Sequence, residues 1–356
     1  MQNERIIYAD LLRIVATFGV IVLHTAAAQF WNPVQSFNWA VCNIYDSLVR
    51  WTVPVFVMIS GMFFLDPERD VPISKLYKKS IFRLVIALVV WGLFYQLTSD
   101  NSDIIHSRHL NFLPLWCLNI VNAIIKIPFG PVWYHLWFVY MLIGLYILTP
   151  LYRVFVKNAE QKDFVYLFFI FAIFGTIVPL ISQTTEYFNT NFKIFFKITE
   201  LINYSGYFFA GYFFSKYDIS KKVTNVIYIG GILSLIFTII GTYILSSIKG
   251  IGTEVLYGNL TPNTMLVAFA IFLLFKSQKD KQFSDKKQKI VSVLSSTTFG
   301  IYLIHAFLLQ IFDNFGMSSS FINPILAIPI KAIVVFCVSF VIIYLLRKIP
   351  ICKYFT

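Results

Sequence analysis

Arg13 and His24 stand at the two ends of an otherwise apolar run that opens at Asp10. As a helix, their eleven-residue separation is about three turns, so both side chains share one face, roughly 16 Å apart along the axis. From position 6 to position 30 the chain is mostly Ile, Leu, Val, Ala and Phe, enough for a bilayer-crossing helix of about 20 residues. An ionisable group inside such a helix is costly and normally faces protein or water, which marks it as functional. Imidazole is the side chain best suited to proton transfer near neutral pH. The structural alternative is that Arg13 snorkels to the headgroups and His24 is a hydrogen-bonded packing residue. That accounts for either residue alone more easily than for both on one face.

The elements that must position these residues follow from composition. Hydrophobic residues make up 58% of the chain and charged residues 13%, half the roughly 25% charged of soluble domains. The expected fold is all-α: a polytopic membrane bundle of about ten transmembrane helices forming one domain over residues 1–356. The apolar stretches are 6–30, 39–65, 80–97, 132–156 and 164–181, then a short one at 198–214, and 223–248, 259–275, 290–312 and 322–346. Pro114, Asn119, Asn122 and Lys126 interrupt the run at 112–127, which reads as an interfacial or re-entrant helix. The first stretch is too long for a cleaved signal peptide and lacks a small-residue cleavage site. Four scattered cysteines show neither metal nor redox spacing. His106 and His109 have no third ligand nearby, so no metal is expected.

Several intramembrane features qualify this bundle. Asp46 and Arg50 sit at i, i+4, an ion-pair spacing on one helix face. Lys331 falls inside the last span with no partner nearby in sequence, and Gly230, Gly231 and Gly241 permit close helix packing in the seventh.

Loop charge sets the orientation. Of 29 Lys and Arg, 21 fall on alternate loops that include both termini and 5 on the others; Arg13, Arg50 and Lys331 are intramembrane. The positive-inside rule therefore places both termini in the cytoplasm. The net charge of +12 is then a topology signal, and no nucleic-acid partner is implied. With this orientation His24, His135 and His305 belong to the outer half of the membrane and Arg13 to the inner face.

A family resemblance rests on four fragments in order along the chain: Asp10-Leu-Leu-Arg13 with His24; Pro54-Val-Phe-Val-Met-Ile-Ser60-Gly61-Met-Phe-Phe; His135-Leu-Trp137 onward to Pro150; and Phe299-Gly-Ile-Tyr302-Leu-Ile-His305. Together they resemble the acyltransferase 3 family of integral membrane acyltransferases, and most closely its short members that O-acetylate surface polysaccharides. The resemblance implies transfer of an acyl group, expected to be acetyl, from cytoplasmic acyl-CoA to a hydroxyl of an envelope polysaccharide or lipid-linked precursor. It implies a bacterial plasma membrane location, acetyl-CoA as donor substrate and no permanently bound cofactor. Arg13 and His24 take the catalytic roles it implies. Arg13, Lys75, Lys78 and Lys79 are candidates for the donor phosphates, since guanidinium and ammonium groups both bind phosphate. Asp46, Arg50, Ser60, His135, Tyr302 and His305 are candidates on the substrate side, and Asp10 is placed to orient Arg13. A transporter or flippase is the alternative; it would more often show inverted repeats and helices broken near the midplane, neither of which the sequence displays.

Reporter fusions test the orientation. A reporter after Lys126 should read outside and one after Lys289 inside; the opposite result at either position would invert the assigned depth of the histidines.

Overall fold

A computed structural model describes residues 5–98, 115–190 and 202–356; His106 and His109 lie outside the described residues. Those residues are helical, with no strand among them. In chain order the helices are α1 (Ile7–Ala27), α2 (Phe37–Val49), α3 (Thr52–Phe64), α4 (Ile73–Thr98), α5 (Leu115–Lys126) and α6 (Trp137–Asn158). Then follow α7 (Gln161–Tyr187), α8 (Ser205–Lys216), α9 (Lys221–Lys249), α10 (Pro262–Lys276), α11 (Asp285–Asn314) and α12 (Pro324–Leu346). Local signals set several starts. Ser36 and Ser220 accept capping bonds from Trp39 and Val223, Asn323 caps α12, and Pro262 and Pro324 occupy first-turn positions where a missing N–H costs nothing. Gly250, at φ 68°, ends α9 in the left-handed region.

Nine helical stretches are long and apolar enough to cross a membrane among the described residues, with α2 and α3 counted as one and the 3-10 turn before α10 included. The tenth expected crossing falls to α8, which has only 12 helical residues. Its two ends nonetheless reach opposite faces of the bundle. Near its start Tyr207 donates to the Asn259 carbonyl at 2.7 Å, on the loop before α10. At its end Lys216 pairs with Glu68 at 2.5 Å, in the basic loop after α3. Beside it Asp218 lies between Lys279 and Lys276, which hold its carboxyl below the usual range.

Glycine makes this short crossing fit. A Cβ on Gly61 of α3 would lie 1.8 Å from the Phe208 carbonyl of α8, and one on Gly211 of α8 would lie 1.8 Å from the Met58 carbonyl of α3. The two helices therefore touch backbone to backbone at reciprocal glycines, the small-residue contact that holds apolar helices together where burial from water gives no drive. Of the glycines singled out in the seventh span, Gly231 and Gly241 are tightly covered, whereas a Cβ on Gly230 would meet only ordinary contacts.

One expectation needs correction. The second span is not continuous: it breaks at Arg50–Trp51 between α2 and α3. Pro54 explains the break, because it has no N–H for the Arg50 carbonyl and its ring crowds that oxygen. A broken helix inside a span is thus present after all. Lys331, which has no partner nearby in sequence, finds one across helices, pairing with Asp313 at 2.6 Å, at the end of α11. Eighteen positions apart on different helices, the two could not be joined by sequence spacing. The Asp46–Arg50 pair forms as expected, at 2.5 Å, with Asp46 1% exposed.

Gly61→Ala or Gly211→Ala should destabilise the protein strongly, by at least the ~1–3 kcal/mol of ordinary overpacking, whereas Gly230→Ala should be close to neutral. Thermal midpoints in detergent would check this; equal midpoints for all three would remove the α3–α8 contact as a determinant of the fold.

Candidate active site

Helix α1 packs in parallel against α11, and the two carry the site between them. At the end nearer the basic loops, Asp10 accepts from Ser295 Oγ at 2.6 Å and from Arg13 at 3.4 Å, and pairs also with Arg5. Arg13 donates in turn to Ser295 Oγ at 3.2 Å. At the other end the His24 ring lies on that of His305, centroids 5.3 Å apart and planes 28° from parallel. Arg13 and His24 therefore both face α11, as their spacing required. Asp10 holds the guanidinium as anticipated, with Ser295 as an additional partner that sequence spacing could not supply.

Arg13 opens into a cavity of about 510 Å³ on the basic face. Lys79, Arg83 and Arg347 line the same space, which makes four cations, with Ser60 and Tyr146 among the polar groups. Arg347 donates to the Thr356 backbone oxygen at 2.9 Å and Arg83 donates to the same atom. Lys79 is the one proposed donor lysine that the cavity collects. Lys75 and Lys78 are exposed and do not line it, and Lys75 is bonded to the Asp70 carbonyl at 3.2 Å. Arg83 and Arg347 are among the 21 cations counted to the alternate loops, yet Arg83 falls within the apolar stretch 80–97 and the structure places it inside α4.

Tyr302 forms the inner end of the cavity and belongs equally to a cluster of imidazoles behind it. Its hydroxyl donates to the His135 carbonyl, and its ring lies 5.5 Å from His135 and 5.7 Å from His305. His135 and His305 are themselves 5.1 Å apart. Three histidines from α1, α11 and the turn before α6 are thus gathered in one place. His135 and His305 are 1% and 0% exposed, while His24 keeps partial exposure beside the Tyr134 ring at 5.0 Å. Among the described residues no group of three His, Cys, Asp or Glu is arranged to hold a metal ion.

On the opposite face a second cavity, of about 580 Å³, is lined by Arg50, Trp137, Glu186, Glu254, Tyr257 and Asn259, among others. Arg50 lies over the Tyr257 ring at 4.1 Å and within electrostatic reach of His24. Its Nε and the Asp46 Oδ1 are buried without a hydrogen-bond partner among the described residues. The partition between the cavities is thin: Trp137 lines the far one and its neighbour Phe138 the basic one. Of the substrate-side candidates, then, Ser60 and Tyr302 face the basic cavity, Arg50 faces the far one with Asp46 behind it, and His135 and His305 stand between.

In comparison with known protein families, the model described as acyltransferase domain matches residues 6–344. No curated protein and no solved structure matches. A match over nearly the whole chain, on an all-helical membrane bundle, establishes that the protein belongs to the acyltransferase 3 family of membrane acyltransferases.

Proposed function

We propose that the protein is an O-acyltransferase of a bacterial plasma membrane, moving an acetyl group from cytoplasmic acyl-CoA to a hydroxyl of an envelope polysaccharide or its lipid-linked precursor. The observation that carries this reading is the pairing of a four-cation cavity on one face with an imidazole cluster directly behind its end wall. The loop-charge rule makes the basic face cytoplasmic, which is where acyl-CoA is made. Arg13, Lys79, Arg83 and Arg347 suit the donor phosphates, with arginine able to grip two phosphate oxygens at once. The thioester end would then point toward Ser60, which lines the same cavity and carries a hydroxyl able to donate to a developing oxyanion, while Tyr302 keeps its proton on the His135 carbonyl. His24 takes the proton of the attacking hydroxyl or carries the acyl group itself. The far cavity suits the acceptor, because Trp137 offers an aromatic face and Glu186, Glu254 and Asn259 offer hydrogen-bond acceptors for hydroxyls. The donor is consumed in each turnover, so no resident cofactor is required.

The transporter reading draws on one observation, the break at Arg50–Trp51, since transporters place substrate at broken helices. In the acyltransferase reading the same break turns Arg50 toward the far cavity.

Arg13→Ala should weaken acyl-CoA binding by about 1.5–3 kcal/mol, the size of a charge-assisted hydrogen bond, and Arg13→Lys should recover only part of it. Titration of the detergent-purified protein measures this, and equal donor affinity in wild type and Arg13→Ala would remove Arg13 from the donor site.

His24→Ala should abolish glycan O-acylation, at least the roughly 10²–10⁴ of a lost general base, while donor affinity stays near wild type. His24→Gln, which keeps hydrogen bonding but cannot accept a proton, should be nearly as inactive. Mass spectrometry of envelope glycans from cells carrying each variant reads the outcome. Near-normal acylation by a stably expressed His24→Gln would favour the transporter.

A further inference from the structure

Buried polar atoms are almost always hydrogen-bonded, and each exception calls for a cause. The imidazole cluster holds two. His305 donates its Nδ1 proton to the Tyr302 carbonyl at 2.5 Å, which leaves Nε2 as the lone-pair nitrogen. His135 directs Nε2 to the Leu303 carbonyl at 3.3 Å, which leaves Nδ1. Neither lone-pair nitrogen has a hydrogen-bond partner among the described residues, although both rings are buried. A buried acceptor left unmade costs about 1–3 kcal/mol. Two main-chain carbonyls of α11 thus fix the tautomers so that a basic nitrogen of each ring stays free inside the protein.

His305 is the ring that lies on His24, at 5.3 Å, whereas His135 reaches the cluster through His305, Tyr134 and Tyr302. At 0% exposure His305 is closed to a glycan or a thioester. It remains open to the one species that needs no room, a proton.

We infer that His305 is the proton-holding partner of His24, taking onto Nε2 the proton that His24 must shed during acyl transfer. This rests on the acyltransferase reading above and reassigns His305 from substrate contact to a positioning residue. If His24 acts as a base, the hydroxyl proton converts it to an imidazolium as the new C–O bond forms. If His24 carries the acyl group, attack of its lone pair on the thioester carbonyl gives an N-acylimidazolium as the C–S bond breaks and the thiolate leaves. The imidazolium bears two N–H protons and the N-acylimidazolium one, so either cation has a proton to give up. Passing that proton to His305 Nε2 makes His24 neutral and puts the charge on a ring whose other N–H points at the Tyr302 carbonyl, a favourable partner for imidazolium. In the base case the proton returns through His24 to the thiolate, giving the thiol. In the carrier case it returns to His24 as the hydroxyl displaces it, and the hydroxyl proton ends on the thiolate.

His305→Asn tests this, because the Asn amide can keep the donation to the Tyr302 carbonyl but has no basic nitrogen. In vitro turnover should fall about a hundredfold, within the usual range for a lost acid–base group, with acyl-CoA affinity and acceptor KM within twofold of wild type. Wild-type turnover by His305→Asn would overturn the inference. His305→Ala supplies a second measurement through added imidazole or pyrazole, which fill the same hole but differ greatly in basicity. Imidazole should restore turnover and pyrazole should not. Equal rescue by both would overturn the inference in favour of packing, whatever the state of the Asn variant. The underlying reading fails separately: it falls if His24→Gln is active, whereas an inactive His24→Gln beside a normal His305→Asn removes only the role of His305.

Discussion

Two helices that run the same way through the bundle, α1 and α11, meet at polar atoms near both ends. Asp10 and Ser295 join them on the basic face, and His24 and His305 meet deeper in. Between helices surrounded by lipid-like side chains, burial from water gives no preference for one rotation over another, so polar contacts decide which faces meet. Rotating α1 by one residue would take Arg13 out of the basic cavity and His24 off His305 together. The remaining helices can be read as what holds this pair in register. The glycine-lined α3–α8 crossing brings the Ser60 segment close, α4 and α12 contribute Arg83 and Arg347, and α6 carries Phe138 to the end wall.

Much of the bundle was legible from local pattern. Long apolar runs gave the spans and alternate basic loops gave an orientation, because both signals are written within twenty or so consecutive residues. The common face of Arg13 and His24 was legible for the same reason, being a matter of helix period. What escaped the sequence is what depends on contacts between distant segments. His24, His135 and His305 lie in three separate parts of the chain, so depth alone could be assigned to them and not adjacency. Lys331 and Asp313 belong to different helices, and Arg83 and Arg347 became cavity residues only when α4 and α12 converged. The break before α3 is a different case. Pro54 was visible, but its position four residues after Arg50 had to be read against the helical hydrogen-bond pattern to see that it would open the span.

The spread of the proposed donor lysines shows how proximity in sequence misleads. Lys75, Lys78 and Lys79 lie within one helical turn or so, yet only Lys79 points into the cavity. Spacings of three and four residues put the three lysines on roughly one face of a regular helix, but at different heights, Lys75 lying about 6 Å from Lys79 along the axis at 1.5 Å per residue. The π-type turn over Leu76–Ile81 adds a rotation at that point. Arg13 of α1, Arg83 further along α4 and Arg347 just past the end of α12 complete the set that the local cluster could not form.

Trp137 and Phe138 are consecutive, yet one looks into a water-accessible space on the far face and the other into a space on the basic face. With Tyr302 and the imidazoles, these side chains form the barrier between two wells sunk from opposite sides of the bilayer. An enzyme that takes its donor from one side and its acceptor from the other, as proposed above, would have to admit both without becoming a conduit for them. With donor and acceptor seated as proposed above, the thinness of the partition would bring them within reach of one another, and the aromatic fill would keep the membrane's ion gradients from discharging through it. Enlarging the site to admit bulkier groups would therefore trade against electrical tightness, which sets a physical ceiling on how open such a site can be.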